Sequence, residues 1–189
     1  MKKTKILLVL ILTTISLGYI AQVHKVNTEK SSVHWLGKKI VGQHDGYIKI
    51  KSGSLELKNN DLSAGEFYID MNSISCSDLK DAVYNKKLVD HLKSDDFFGV
   101  EKFPTATLII TSASKFVNNS SSVEAKLTIK GKTENITFNV TKNNNLYSAN
   151  IEIDRSKFDV RYRSTSFFDS LGDKAIDDIF ILDIKLVVN

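Results

Sequence analysis

The chain has 189 residues, 42% of them hydrophobic and 25% charged, with 26 Lys and Arg against 22 Asp and Glu and a single cysteine, Cys76. That is the length of one domain with enough apolar content for a sizeable core, and one cysteine leaves no internal disulfide to staple it. With Lys2, Lys3 and Lys5 set aside, the 26 basic residues become 23 against 22 acidic, so the net charge of +4 falls to +1 and no nucleic-acid partner is expected, because counterion release needs a concentrated basic surface.

Those three lysines open the chain and precede an apolar run at residues 6–15. Small residues follow at Ser16-Leu17-Gly18 and at Ala21-Gln22. The pattern predicts a secretory signal peptide over residues 1–21 and a mature domain over residues 22–189, periplasmic or secreted. The run is shorter than the ~20 residues of a spanning helix, so no stable membrane span is expected. No cysteine stands near the junction to take a lipid anchor.

Downstream, period-two alternation dominates. Val33 and Trp35 alternate in a first strand, and residues 37–42 form a turn-like link. Residues 47–51 and 55–58 alternate on either side of Ser52-Gly53, and Asn59-Asn60-Asp61 is a turn. Phe67, Ile69 and Met71 share one face of the next strand. Residues 73–93 break the period: Leu79, Ala82 and Val83 fall at helical spacing behind a cap at Ser77, and Leu88, His91 and Leu92 mark a second helical piece. Strands return after Pro104, with Ala106, Leu108 and Ile110 on one face and a Ser/Asn-rich loop predicted over residues 112–122. Val123, Ala125, Leu127 and Ile129 alternate next, then Ile136, Phe138 and Val140, then Ala149, Ile151 and Ile153. Residues 164–176 are irregular with room for a short helix, and Phe180, Leu182, Ile184, Leu186 and Val188 form a long last strand. About eight strands with short polar connections and one helical insertion imply an all-β antiparallel sandwich or barrel.

Five segments carry a resemblance. HLKSDDFFGVEKFPTATL at residues 91–108 combines a helix end, a polar turn, two adjacent rings and an extended Phe-Pro step. It is accompanied in order by GQHDG at 42–46, GEFYIDMNSI at 65–74, AKLTIKGKTENI at 125–136 and IDRSKFDVRY at 153–162. Together they resemble the YceI-like family of lipid- and polyisoprenoid-binding proteins, over nearly all of the mature chain. The resemblance selects the barrel: an eight-stranded, antiparallel, lipocalin-like β-barrel with a small helical insertion. It also implies an exported protein that holds a polyisoprenoid or another long-chain lipid, such as an isoprenoid quinone, for transport, storage or stress response. The FFDSLGDKAI connection at 167–176 is longer than a barrel needs, and is expected to alter the mouth.

Candidate cavity residues follow from the inward faces: Phe67, Ile69, Met71, Leu108, Ile110, Leu127, Ile129, Ile136, Phe138, Ile151 and Ile153. Aromatic residues beside turns join them: Phe97, Phe98, Phe103, Phe167 and Phe168. Catalytic chemistry has less support. No nucleophile elbow or phosphate-cradling loop occurs, no cofactor is implied, and His24, His34, His44 and His91 show no metal-ligand spacing. A metal would need long-range convergence of His44, His91 and a carboxylate such as Asp95. His44 and His91 are expected to bond nearby backbone, Arg155 to make a structural salt bridge, and Arg161 and Arg163 to face solvent. Cys76 is expected to be a small, semi-buried residue. Two alternatives stay open: an enzyme acting on a hydrophobic substrate with His44 or His91 as base, and a barrel filled by its own side chains. A homodimer is also left open.

Overall fold

A computed structural model describes residues 21–189, so the expected leader lies, but for its last residue, outside the described residues. Nine strands and one helix follow in order: β1 (Gln22–Lys25), β2 (Ser32–Lys39), β3 (Gln43–Lys58), β4 (Asp61–Asp70), α1 (Ala82–Lys93), β5 (Thr105–Ala113), β6 (Ser120–Ile129), β7 (Lys132–Asn143), β8 (Leu146–Asp154) and β9 (Ile176–Val187). Every pairing is antiparallel. The sheet runs β2-β9-β8-β7-β6-β5-β4, and β3 closes it by pairing with both β4 and β2. The chain thus forms the closed eight-stranded barrel expected of it. β1 is not a ninth stave. It pairs with β3 beside β2, and Val26 bridges Val188 where Ser32 meets Lys185. β1 and β2 therefore share one column, interrupted by a turn at residues 27–31 in which Ser31 N–H and Oγ–H donate to the Asn27 carbonyl.

Up-and-down topology sends alternate connections to opposite ends. One end carries the tight turns at Asn59-Asn60 and Asn144 and the loop at residues 114–119. Asn59, Asn60, Asn118, Asn119 and Asn144 all have positive φ, which asparagine tolerates better than most residues. The other end carries the β2–β3 turn at residues 40–42, the insertion at 71–104 with α1, the Lys130-Gly131 turn and the long connection at 155–175. We call this the helix end.

Three local expectations need correction. Asp81, not Ser77, caps α1, its Oδ1 accepting from Val83 N (2.9 Å) and Tyr84 N (3.1 Å). The Ser77 hydroxyl is committed elsewhere, donating to Asp45 Oδ2 at 2.7 Å. Leu79 accordingly precedes the helix, which is one continuous element. The Ser/Asn loop is shorter than its composition suggests. β6 starts at Ser120, and the buried Ser121 hydroxyl donates to the Ser114 carbonyl at 2.7 Å. β3 runs unbroken through Ser52-Gly53, its register with β4 shifting between Ile50 and Ser52.

Two apolar clusters plug the barrel. Val26, Leu55, Leu62, Tyr147 and Val188 belong to the one at the Asn-turn end. Met71, Ile74, Phe97, Val100, Phe158 and Val160 belong to the one at the helix end. Between them, inward-facing residues are only half-buried: Ile48, Phe67, Leu108, Phe138, Ala149, Leu182 and Ile184. Their neighbours two residues along, such as Ile50, Ile110, Val140 and Leu186, are buried. A side chain that points into a closed barrel and is still accessible faces an internal void.

Candidate functional site

The void is an apolar cavity of about 260 Å³. β4 and the turn after it place Phe67, Ile69 and Met71 on its wall, and β5 adds Leu108 and Ile110. Leu127 and Ile129 come from β6, Ile136 and Phe138 from β7, Ile151 and Ile153 from β8. Phe97 and Phe98 close it from the insertion. The period-two geometry of strands does this work, since alternate residues share a face.

Three candidates stand apart from the wall. Phe103 packs instead under the β6–β7 turn, where a Cβ on Gly131 would meet its ring at 3.0 Å. Phe167 and Phe168 lie exposed on the long connection, with the Arg161 guanidinium 4.9 Å above the Phe167 ring. Their position beside turns suggested a mouth-closing role, but the connection carries them outward. Conversely, the wall includes Val33 and Trp35 of β2, Ile48 and Ile50 of β3, and Phe180, Leu182 and Ile184 of β9, none of them in the sequence-derived site. The same alternation marks them. Leu88 and Leu92, one face of α1, complete the lid.

Charged groups and the one lining histidine reach the cavity at the helix end, while Tyr147 and Ser148 of β8 lie toward the other. Lys38, Lys39 and His44 come from the β2–β3 hairpin, Arg155 and Asp177 from the other side. The β2–β9 register shifts between Gly37 and Lys39, and such a bulge re-aims consecutive side chains.

A strap at residues 75–78 lies across this hairpin. Ser75 N donates to Tyr47 O (3.0 Å), Ser77 N to Asp45 O (2.9 Å), and Trp35 Nε1 to Ser75 O (3.0 Å). His44 Nδ1 stands 2.8 Å from Asp78 Oδ2, and His34 Nε2 2.9 Å from Asp45 Oδ2. His44 was expected to bond nearby backbone, but like His34 it meets a carboxylate that the barrel brings to it. Burial pushes the Asp78 carboxyl up. Hydrogen bonds from His44, the Asp45 backbone and Cys76 outweigh it and hold the pKa at about 2. Hydrogen bonds from Ser77 and His34 likewise lower Asp45. Cys76 is half-buried and its thiol donates to Asp78 Oδ1 at 3.1 Å. Burial pushes that thiol up, as does the neighbouring carboxylate, which disfavours the nucleophilic thiolate.

His91 also meets a carboxylate rather than backbone, Asp96 at 3.4 Å, and its ring packs edge-on against Phe97 and Tyr162. Arg155 makes the structural ion pair expected of it, 3.1 Å from Asp178. Its guanidinium also donates to the carbonyls of Asp177, Val160, Tyr162 and Ile176 at 2.8–3.0 Å. This buried cation ties the 155–163 segment to the start of β9. Arg161 and Arg163 are exposed. Among the described residues no group of three or more His, Cys, Asp or Glu side chains could hold a metal, and no helix is long and apolar enough to cross a membrane.

A family model described as YceI-like domain matches residues 24–188. No curated protein matches the chain. Among solved structures, BcnA of Burkholderia cenocepacia is 25% identical, with a TM-score of 0.69 over 87% of this chain and 99% of its own. A polyisoprenoid binding domain from Saccharophagus degradans, implicated in plant cell wall breakdown, is 13% identical, with a TM-score of 0.59 over 88% of this chain and 97% of its own. A Campylobacter jejuni YCEI protein is 22% identical, with a TM-score of 0.51 over 68% of this chain and 74% of its own. The last two likenesses show a shared fold.

Proposed function

Since the chain belongs to the YceI-like domain family, we propose that it is an exported lipid-binding protein that holds a polyisoprenoid or similar amphiphilic lipid, such as an isoprenoid quinone, without turning it over. One observation carries the reading: a closed barrel keeps an apolar void inside it, and the charged groups that line it, Lys38, Lys39, Arg155 and Asp177, all lie at the helix end. Each methylene moved from water into such a wall contributes about 0.8 kcal/mol, so a tail of ten or so carbons offsets the cost of association without any specific polar contact. The Saccharophagus degradans domain of the same fold is described as polyisoprenoid-binding, which supports the same ligand class here. Transport, storage and stress protection would all use this property.

The test is direct. Lipid extracted from protein purified from its host should contain a long-chain isoprenoid by mass spectrometry. Leu127→Asp, checked for folding by circular dichroism, should abolish binding of a fluorescent isoprenoid analogue, because the carboxylate would sit unpaired in the wall. Undiminished binding by a folded variant would sink the proposal. Export is part of the same reading. Intact mass should place the mature amino terminus between Tyr19 and Val23, and a mass that retains residues 1–18 contradicts it.

A second reading, proton-transfer chemistry on a hydrophobic substrate, has one observation in its favour. His44 lines the cavity with its Nδ1 held by Asp78, the arrangement that orients an imidazole base. It predicts that His44→Ala leaves lipid affinity unchanged while abolishing conversion of a bound lipid. The carrier reading predicts that bound lipid is recovered chemically intact from both proteins.

A further inference from the structure

We propose that the helix end of the barrel docks onto an anionic lipid bilayer. Half of the large hydrophobic side chains exposed among the described residues stand alone in sequence. The other half form three consecutive pairs: Ile40-Val41, Val83-Tyr84 and Phe167-Phe168, with exposures from 39% to 75%. They come from three separate segments: the β2–β3 turn, the first turn of α1 and the long connection before β9. The up-and-down topology puts all three segments at the same end. The opposite end is closed by Asn turns and, among the described residues, exposes no such pair, only Val117 in its loop and Val23 in β1.

Each apolar pair has two basic residues close by in sequence. Lys38 and Lys39 precede the first, Lys86 and Lys87 follow the second, and Arg161 and Arg163 precede the third. Lys86 is paired with Asp90 and Arg161 with Asp159. The other four have no carboxylate within ion-pair distance among the described residues. Most acidic residues at this end are already engaged: Asp81 caps α1, Asp90 and Asp159 hold Lys86 and Arg161, Asp95 holds Lys102, Asp178 holds Arg155, and Asp45, Asp78 and Asp96 meet histidines, while Asp169 and Asp173 stand on the long connection. Apolar side chains ringed by lysine and arginine match the two layers of a bilayer surface. The former enter the boundary of the acyl region and the latter meet anionic head groups.

The ring is continuous with the cavity. Tyr84, Leu88 and Leu92 are spaced four apart and share one face of α1. Leu92 and Leu88 line the void while Tyr84 is exposed. Lys38 and Lys39 line the same opening. A chain leaving the cavity would emerge among the groups that face the bilayer. The purpose of docking, exchange of cargo with a membrane, rests on the lipid-binding reading; the geometry of the ring does not.

The experiment is vesicle flotation with the protein as its host processes it. Phosphatidylcholine vesicles with and without phosphatidylglycerol are compared at low and high salt. The wild-type protein should float with the anionic vesicles and be released as salt screens the basic ring. The double variant Ile40→Ser/Val41→Ser should partition about tenfold less or weaker still, having lost two interfacial side chains. Val117→Ser, at the other end, should float like wild type. Absence of wild-type flotation, equal flotation on neutral vesicles, or equal flotation of the Ile40/Val41 variant would each overturn the proposal. The last result also exposes binding driven by an uncleaved amino-terminal run. Binding of a fluorescent isoprenoid analogue is measured separately in vesicle-free solution, where both variants should match wild type. Loss of that binding in the wild-type protein would fail the carrier reading, and flotation would still decide the docking surface.

Discussion

A Cβ built on Gly46 would stand 1.9 Å from the Ser75 carbonyl oxygen and 2.7 Å from its carbon. Both neighbours are backbone, so no rotamer change relieves the contact. Gly46→Ala must displace the 75–78 strap, and with it the Trp35 indole hydrogen bond and the His44–Asp78 contact. Overpacking of this kind costs about 1–3 kcal/mol and more where backbone must move, which thermal unfolding should register as a clear fall in Tm. Gly37→Ala is the internal control, because its Cβ would meet nothing within 4 Å. Equal melting of the two variants would mean that the strap is not held against β3. The sequence showed that two glycines flank His44, which suggested a turn. It did not show why the second is glycine, because the oxygen it must admit belongs to a residue 29 positions away. The His34–Asp45 and His44–Asp78 contacts were hidden for the same reason: neither histidine has its carboxylate within the span of one local motif. Arg155 was legible in role, as a structural ion pair, though its four carbonyl partners were not.

Strands were the most legible elements, since alternation reports directly which face turns inward, and β4 to β9 follow the faces read from the chain. Elements whose ends depend on distant partners were less so. β1 has four residues and exists through its pairing with β3 and the Val26–Val188 bridge. The start of α1 was misplaced because Ser77 and Asp81 are both competent caps, and a contact with Asp45 in β3 decides between them. Alternation also does not say whether an inward face meets another side chain or a void. Phe67 of β4 faces inward as read from the chain, and it is half-buried against the cavity. Phe158, in the turn after β8, is 1% exposed within the helix-end plug. Phe158→Ala should cost about 3–5 kcal/mol, as for a fully buried ring. Phe67→Ala should cost less in the ligand-free protein, because part of its ring already lacks neighbours, and yet more than Glu66→Ala on the outer face. Chemical denaturation of the three variants, with m-values checked for constancy, ranks them. A Phe67→Ala effect as large as that of Phe158→Ala would mean the barrel centre is filled.

At the scale of the whole molecule, barrel closure makes the cavity, and its size sets what the closed form accepts. Eight strands leave an interior just wide enough to be filled by side chains or to hold one small ligand. Here the two plugs take the ends and about 260 Å³ remains between them. A dry protein cavity of about 150 Å³ takes a benzene ring, so by proportion this void encloses roughly ten carbons, or two isoprene units. A longer tail must thread past Leu88 and Leu92 and project from the helix end, where it gains less per carbon than it does against the wall. Affinity across a series of isoprenoid alcohols should therefore climb by about fourfold per enclosed methylene equivalent and then flatten beyond roughly ten carbons. Isothermal titration at fixed detergent-free conditions measures the curve, and the heat-capacity change should flatten at the same length, since it follows the apolar area buried. An affinity that keeps climbing at the same slope through much longer tails would show that the plugs yield and that the closed cavity is not the binding-competent form. Leu92→Ala supplies the converse check: by widening the exit under α1 it should move the break in the curve to longer chains.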